Sequence, residues 1–350
     1  MNKTTIHLLQ LFAVSILMLV SCQFKAKQVE FSQFPAEYML EPQIIVLEQN
    51  YVHARLHLYD SLVFLTNTPD NPYQIHVYNS EFQYIKSSGL VGAGPGEITN
   101  PFFAAVDHMN RSLWFLDMGK QVFFNFYIDS IMDNPVYFPG TYVPVPSDKF
   151  GITQYYPLNN NTFSYSDFNV SPPIISFMDM HGVITDSILL NDLPENFHHN
   201  PNGTFLNTFL YQHHPSADKI ALFHRFCDLM TVIDKEGKVM ATRQGPDMIT
   251  QIPDASNRNQ ISTYDDLQAD DTFIFGLYRG TSVFDETLQL NYPHSIHVFR
   301  WNGEPVARLI LEHPLTEFTL DSKNKRLIGF SLKSGNVVEY SLHEFYEKTH

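Results

Sequence analysis

The chain has 350 residues, 44% of them apolar and 14% aromatic, enough to bury a large core. Acidic side chains outnumber basic ones 37 to 22, a formal net charge of -15, which argues against nucleic acid and anionic lipid surfaces as direct partners. Cys22 and Cys227 are the only cysteines, so a disulfide framework is excluded.

Lys3 and the apolar run Leu8 to Val20 read as a processing signal, because thirteen residues fall short of the roughly 20 that a bilayer-spanning helix needs. The run closes on Leu19-Val20-Ser21-Cys22, which resembles the lipobox of bacterial lipoproteins: an aliphatic residue, two smaller ones, then the cysteine that is acylated. The resemblance implies removal of residues 1–21 as a signal peptide and lipidation of Cys22, palmitate included. Residues 22–42 are then a lipidated tether and residues 43–350 the folded body. Several acyl chains on one residue, at about 0.8 kcal/mol per buried methylene, hold a protein stably to a leaflet. Gln23 stands where an Asp often retains lipoproteins in the inner membrane, and Phe24-Lys25-Ala26-Lys27 lacks the acidic stretch of a surface-export signal. The expected position is the periplasmic face of the outer membrane.

From residue 43 onward, short strands rich in Phe, Tyr, Val and Ile are punctuated by Asp, Asn and Gly, with no long stretch of 3.6-residue periodicity. An acidic or amide turn precedes an apolar strand six times: Asp60 before LVFLT, Asp107 before LWFLD, Asn160 before TFSYS, Asp218 before KIALFH, Asp270 before TFIFG and Asp321 before RLIGF. The strand starts Leu62, Ser112, Thr162, Ile220, Phe273 and Arg326 lie 50, 50, 58, 53 and 53 residues apart, a period that suits a four-stranded propeller blade. Each unit continues with a third strand and its own turn, at 75–79, 122–129, 174–179, 229–237, 296–303 and 337–341. Asp and Asn recur at these turns because their side chains bond local backbone N–H groups and tolerate left-handed φ. The last unit lacks an outer strand, and an unassigned strand at 43–49 precedes the first unit, so pairing the two closes the ring. The predicted fold is all-β: a six-bladed β-propeller of four-stranded antiparallel blades, with the ring closed by an N-terminal strand.

The segment 89–129 carries the most specific pattern. Gly94-Pro95-Gly96-Glu97, then Pro101, Ala105-Val106-Asp107 and Trp114-Phe115-Leu116-Asp117, resembles an NHL-type propeller repeat. Together with the lipobox and weaker echoes in the other units, the mature chain resembles the TolB-like six-bladed propeller lipoproteins of diderm bacteria. The resemblance implies the fold and leaves the activity open, because NHL-like propellers mostly bind partners while some relatives are metal-dependent lactonases or lyases. In the residues themselves, Gly94, Pro95 and Gly96 read as the tight passage from the outer strand of one blade to the inner strand of the next. A phosphate loop is disfavoured, since Glu97 would repel the anion and no Lys-Ser/Thr pair follows.

No nucleophile elbow, zincin helix, C-x-x-C pair or EF-hand loop is present. The doublets His198-His199 and His213-His214, with His224, offer imidazoles for a divalent metal, although adjacent histidines in a strand point to opposite faces. Cys227 lies in an apolar run and reads as a small buried hydrophobe. Candidates for a ligand-facing funnel are Tyr278 and Arg279 at the end of a second strand, Tyr211 and Gln212 at the end of an inner strand, and the carboxylates Glu97 and Asp117. Bridging between blades is the competing role for Tyr278 and Arg279, and turn stabilisation for Glu97. The expected function is a monomeric, non-catalytic binding or scaffolding lipoprotein for an envelope protein, peptide or glycan, without cofactor. The alternative is a metal-dependent hydrolase or lactonase with its site in the funnel.

Overall fold

The computed structural model describes residues 28–68, 71–134, 136–145, 152–158, 162–167, 174–190, 208–249, 261–282, 295–331 and 333–349. Each apolar strand that follows an acidic or amide turn is the second strand of a separate sheet, and six sheets form the blades of a ring. Blade 1 comprises Arg55–Tyr59, Leu62–Thr66, Tyr73–Asn79 and Tyr84–Leu90. Blade 2 comprises Pro101–Asp107, Ser112–Asp117, Val122–Tyr127 and Tyr142–Pro144. Blade 3 is Ile152–Leu158, Thr162–Asp167, Ile174–Asp179 and Ile184–Leu189. Blade 4 is Phe209–His213, Lys219–His224, Leu229–Asp234 and Val239–Gln244. Blade 5 is Ile261–Ala269, Phe273–Ser282, Ser295–Arg300 and Pro305–Leu311.

Blade 6 takes three strands from the C-terminal end, Phe318–Asp321, Arg326–Ser331 and Asn336–Ser341, and its fourth, Pro42–Ile45, from the N-terminal end. That strand pairs antiparallel with Asn336–Ser341, Ile44 opposite Val338 and Gln43 opposite Glu339. The ring therefore closes as the sequence predicts, with a strand shorter than 43–49.

The middle strands are buried almost throughout, as in Ser112–Asp117, because each blade is covered on both faces by its neighbours. Among the outer strands, Ile184–Leu189 is mostly exposed, whereas Val239–Gln244 is largely covered. Six apolar clusters fill the ring, one at each blade junction. The Asx turns are physical: Asn79, Asp179 and Asp234 each use Oδ1 to accept two backbone N–H groups across the hairpin between third and fourth strands, at 2.8–3.1 Å. In the same hairpin, Gly182 and Gly237 take φ of +78° and +84°, which only glycine adopts without strain. The pairing register slips by one residue at Val77/Tyr78, Phe177/Met178, Val232/Ile233 and Val298/Phe299, a bulge repeated at one place in four blades.

The expected tether needs correction from Gln28 onward. Gln28–Glu30 pairs parallel with the outer strand of blade 4, and Glu37–Leu40 pairs parallel with the outer strand of blade 5. Between them Phe34 is buried in the cluster joining blades 4 and 5, its ring 4.7 Å from His297 and 5.5 Å from Phe299. Residues 28–45 thus form a belt around three blades, and the first described residue, Gln28, lies on the rim of blade 4. Two short helices complete the fold, Ile128–Asp133, which begins where a longer third strand was expected, and His343–Thr349, whose Phe345 and Tyr346 pack on the junction of blades 5 and 6. No helix among the described residues is long and apolar enough to cross a membrane.

Candidate functional site

The first strand of every blade faces a central channel with a volume of about 1030 Å³. Its wall is drawn from Arg55 and His57 in blade 1, Phe103 in blade 2, Gln154 and Tyr156 in blade 3, Gln212 and His213 in blade 4, Asp266 and Gln268 in blade 5, and Glu317 beside blade 6. Two register shifts in the first strand of blade 5, around Tyr264, re-aim the side chains that follow, and Asp266 lines the channel while Asp265 bonds Arg279.

Charge concentrates on one side of this wall. Arg55 Nε lies 3.1 Å from Glu317 Oε2, but its N–H is not aimed at the oxygen, so the contact is an ion pair without an aligned hydrogen bond. On its other side the Arg55 guanidinium sits 4.8 Å over the Phe103 ring, a cation–π contact worth about 0.5–2 kcal/mol. Glu317 retains 18% side-chain exposure, so a ligand in the channel can reach it. Burial pushes its carboxyl up to about 8, with Arg55 opposing and the nearby Asp266 charge adding. Burial likewise raises Asp266 to about 6 against two backbone hydrogen bonds, from Phe318 N–H and Leu267 N–H, each at 2.8 Å. Burial drives His57 down to about 3 and His213 to about 4, so both imidazoles are neutral at pH 7. Their rings are held by Thr66 Oγ1 at 3.0 Å and Ser164 Oγ at 2.8 Å.

The channel is braced at the blade junctions. Tyr155 Oη donates to Trp114 O at 2.6 Å, the Tyr211 N–H donates to Gln154 Oε1 at 2.8 Å, and Thr263 Oγ1 donates to His224 O at 2.7 Å. Bonds of this kind fix the wall before any ligand arrives.

Of the candidates named from sequence, Gln212 lines the channel. Tyr211 is its buried neighbour, with Oη bonded to Ser164 Oγ at 3.1 Å. Tyr278 donates to Asp247 and stacks on His297 at 4.1 Å, which places it in the junction of blades 4 and 5. Arg279 Nε donates to Asp265 Oδ2 at 2.6 Å, next to but outside the channel wall. Glu97 turns back on its own loop, accepting the Gly94 N–H at 2.6 Å. Gly94, Pro95 and Gly96 lie between the outer strand of blade 1 and the inner strand of blade 2, and Lys120 Nζ clasps the carbonyls of Gly94 and Glu97 at 2.7 Å. At Gly96 (φ +75°) a Cβ would come within 2.9 Å of Phe138 Cβ. Asp117 accepts five hydrogen bonds from Thr99, Asn100, Gly119 and Lys120; burial would raise its carboxyl, but these bonds hold it below the usual range.

His213 and His214 both line the channel, His214 also packing on Trp301 at 4.5 Å, and His224 lies at the blade 4 to 5 junction. Among the described residues no three His, Cys, Asp or Glu side chains converge as metal ligands would. Cys22, His198 and His199 lie outside the described residues. Cys227 is buried in the apolar cluster between blades 3 and 4, and burial pushes its thiol up. Sequence reasoning missed Arg55, His57, Gln154, Tyr156, Asp266 and Glu317. The signal was present, since each lies in the strand before, not after, a repeated turn, or just ahead of it.

Solved structures similar to this chain are propellers of low sequence identity, and they speak for the fold alone. A DUF4221 family member from Bacteroides vulgatus has a TM-score of 0.64 at 9% identity, covering 88% of this chain and 97% of that one. A protein of Bacteroides fragilis has a TM-score of 0.54 at 11% identity, covering 87% and 98%. The hydrazine synthase of Kuenenia stuttgartiensis has a TM-score of 0.53 at 11% identity, covering 87% and 80%. No curated protein sequence matches the chain. The family model for TolB-like six-blade propellers matches residues 33–323, and the chain belongs to that family.

Proposed function

We propose that this protein is a lipid-anchored, monomeric envelope protein, held through Cys22 at the periplasmic face of the outer membrane, whose propeller channel binds a peptide, a glycan or a segment of another protein without chemical change. The observation that supports it is the channel itself: a preformed space of about 1030 Å³ offering an arginine, carboxylates, amides and aromatic faces from all six blades. Such a lining suits a polar ligand with many hydrogen-bonding groups. Fixed donors and acceptors reduce the ordering cost of binding.

Titration calorimetry of the mature chain against panels of short oligosaccharides and peptides tests the reading. Heat is expected from at least one panel, with affinity reduced about tenfold by Gln212→Ala or Arg55→Ala, the effect of losing roughly 1.4 kcal/mol. No heat from either panel, or heat that both variants leave unchanged, contradicts it.

A metal-dependent hydrolase or lactonase is the second reading, favoured by two channel carboxylates shifted toward the range of a general acid. Heat on adding calcium or zinc, abolished by Asp266→Asn, turns the assignment to this reading.

A further inference from the structure

We infer that the propeller lies edge-on to the leaflet that holds its acyl chains, with the outer rim of blades 4 and 5 against the lipid headgroups and the channel axis parallel to the membrane plane. This rests on the acylation of Cys22 proposed above.

The belt sets the geometry. A tether running to residue 42 would leave the body free to take any orientation. Because Gln28–Glu30 is paired with Thr242–Gln244, only residues 23–27 separate Cys22 from the blade 4 rim. At 3.3–3.6 Å per residue, that link reaches no more than about 20 Å. The rim of blade 4 therefore stays close to the leaflet, and blade 1, across the ring, is kept away from it.

The side chains along this rim select the edge-on arrangement. Val29 and Met39, the latter 74% exposed, lie on the belt at blades 4 and 5, and Met240 is exposed in the outer strand of blade 4. Residues of this kind enter the headgroup region. The end of the ring that carries the hairpins between first and second strands is charged with both signs, Asp218, Asp271, Arg111 and Lys323 being exposed there. Laying that end on the bilayer would bring mixed charge, in place of the rim's apolar side chains, to the anionic headgroups. Glu30, Glu37 and Glu41 give the rim no attraction for such lipids either, so the short link and the apolar side chains hold it there. The channel then opens sideways, and a ligand reaches Arg55 and Glu317 without displacing lipid.

The test uses the full chain, purified with its lipid and reconstituted in vesicles of phosphatidylethanolamine and phosphatidylglycerol. A polarity-sensitive fluorophore is attached in turn through Val29→Cys, Met39→Cys, Ala217→Cys on the hairpin end of blade 4, and Ile85→Cys on the outer strand of blade 1. Cys227 is buried and stays unlabelled. Intact mass reports acylation, and lipids brominated near the headgroup report proximity. Quenching at positions 29 and 39 is expected to exceed that at 217 and 85 by about twofold or more, as for groups seated 5–10 Å into the interface. Acylated protein with quenching strongest at 217, or equal at all four positions, overturns the orientation and leaves the anchor standing. A mass without acyl chains overturns both.

Discussion

Asp117 is fully buried and Glu317 only partly exposed, yet their carboxyls shift in opposite directions, and the difference lies in their hydrogen bonds. Asp117 accepts five bonds and stays ionised. Glu317 has one misaligned arginine at Oε2 and the His53 ring 3.7 Å from Oε1, which has no hydrogen-bond partner among the described residues. Asp228, buried against Tyr264 and the Asp247 N–H, is pushed up by burial to about 8, like Glu317. These shifts fix the pH dependence of stability. For Asp228, Asp266 and Glu317 the folded pKa exceeds the unfolded one, so the native state holds more protons and stability falls as pH rises toward 8. For His57, His76 and His213 the folded values of about 3 to 4 lie below the unfolded one, so stability falls as pH drops below 6.5. Urea unfolding across pH is expected to show maximal stability between about pH 6 and 7. Asp228→Asn, which mimics the protonated acid, should flatten the alkaline limb. A stability that rises steadily from pH 6 to 9 contradicts the assignment.

At the scale of elements, the strands after the repeated turns were legible because Asp, Asn and Gly mark the turns and burial on both faces yields unbroken apolar runs such as Leu113 to Leu116. The closing strand was legible from what the last blade lacked. The belt was not, because Gln28–Glu30 and Glu37–Leu40 are short, half-exposed and alternate weakly, and their partners lie more than 200 residues away. The channel was half legible: the first strands were identified through Tyr211 and Gln212, but facing depends on register, and the bulges around Tyr264 shift it. Melting curves of three chains separate belt from closure. A chain beginning at Glu41 keeps the closing strand and should melt slightly below the full mature protein. A chain beginning at Asn50 loses that strand and Leu47 from the blade 6 to 1 cluster, and its melting temperature should fall by at least about 10 °C. Equal melting of all three contradicts closure by residues 42–45.

At the scale of the molecule, six junction clusters and their polar staples make a ring whose channel exists before any ligand enters. Strand Pro42–Ile45 joins the C-terminal strands in blade 6, while Gln28–Glu30 lies on the outer strand of blade 4, so the belt and the channel occupy separate parts of the body. Binding in the channel is the central claim. A crystal structure of the mature chain soaked with the oligosaccharide or peptide that gives the largest heat tests it most directly. Density inside the channel, touching Gln212 and the Arg55–Glu317 side of the wall, is the expected result. Density confined to the outer rim, with the channel holding only water, would contradict it.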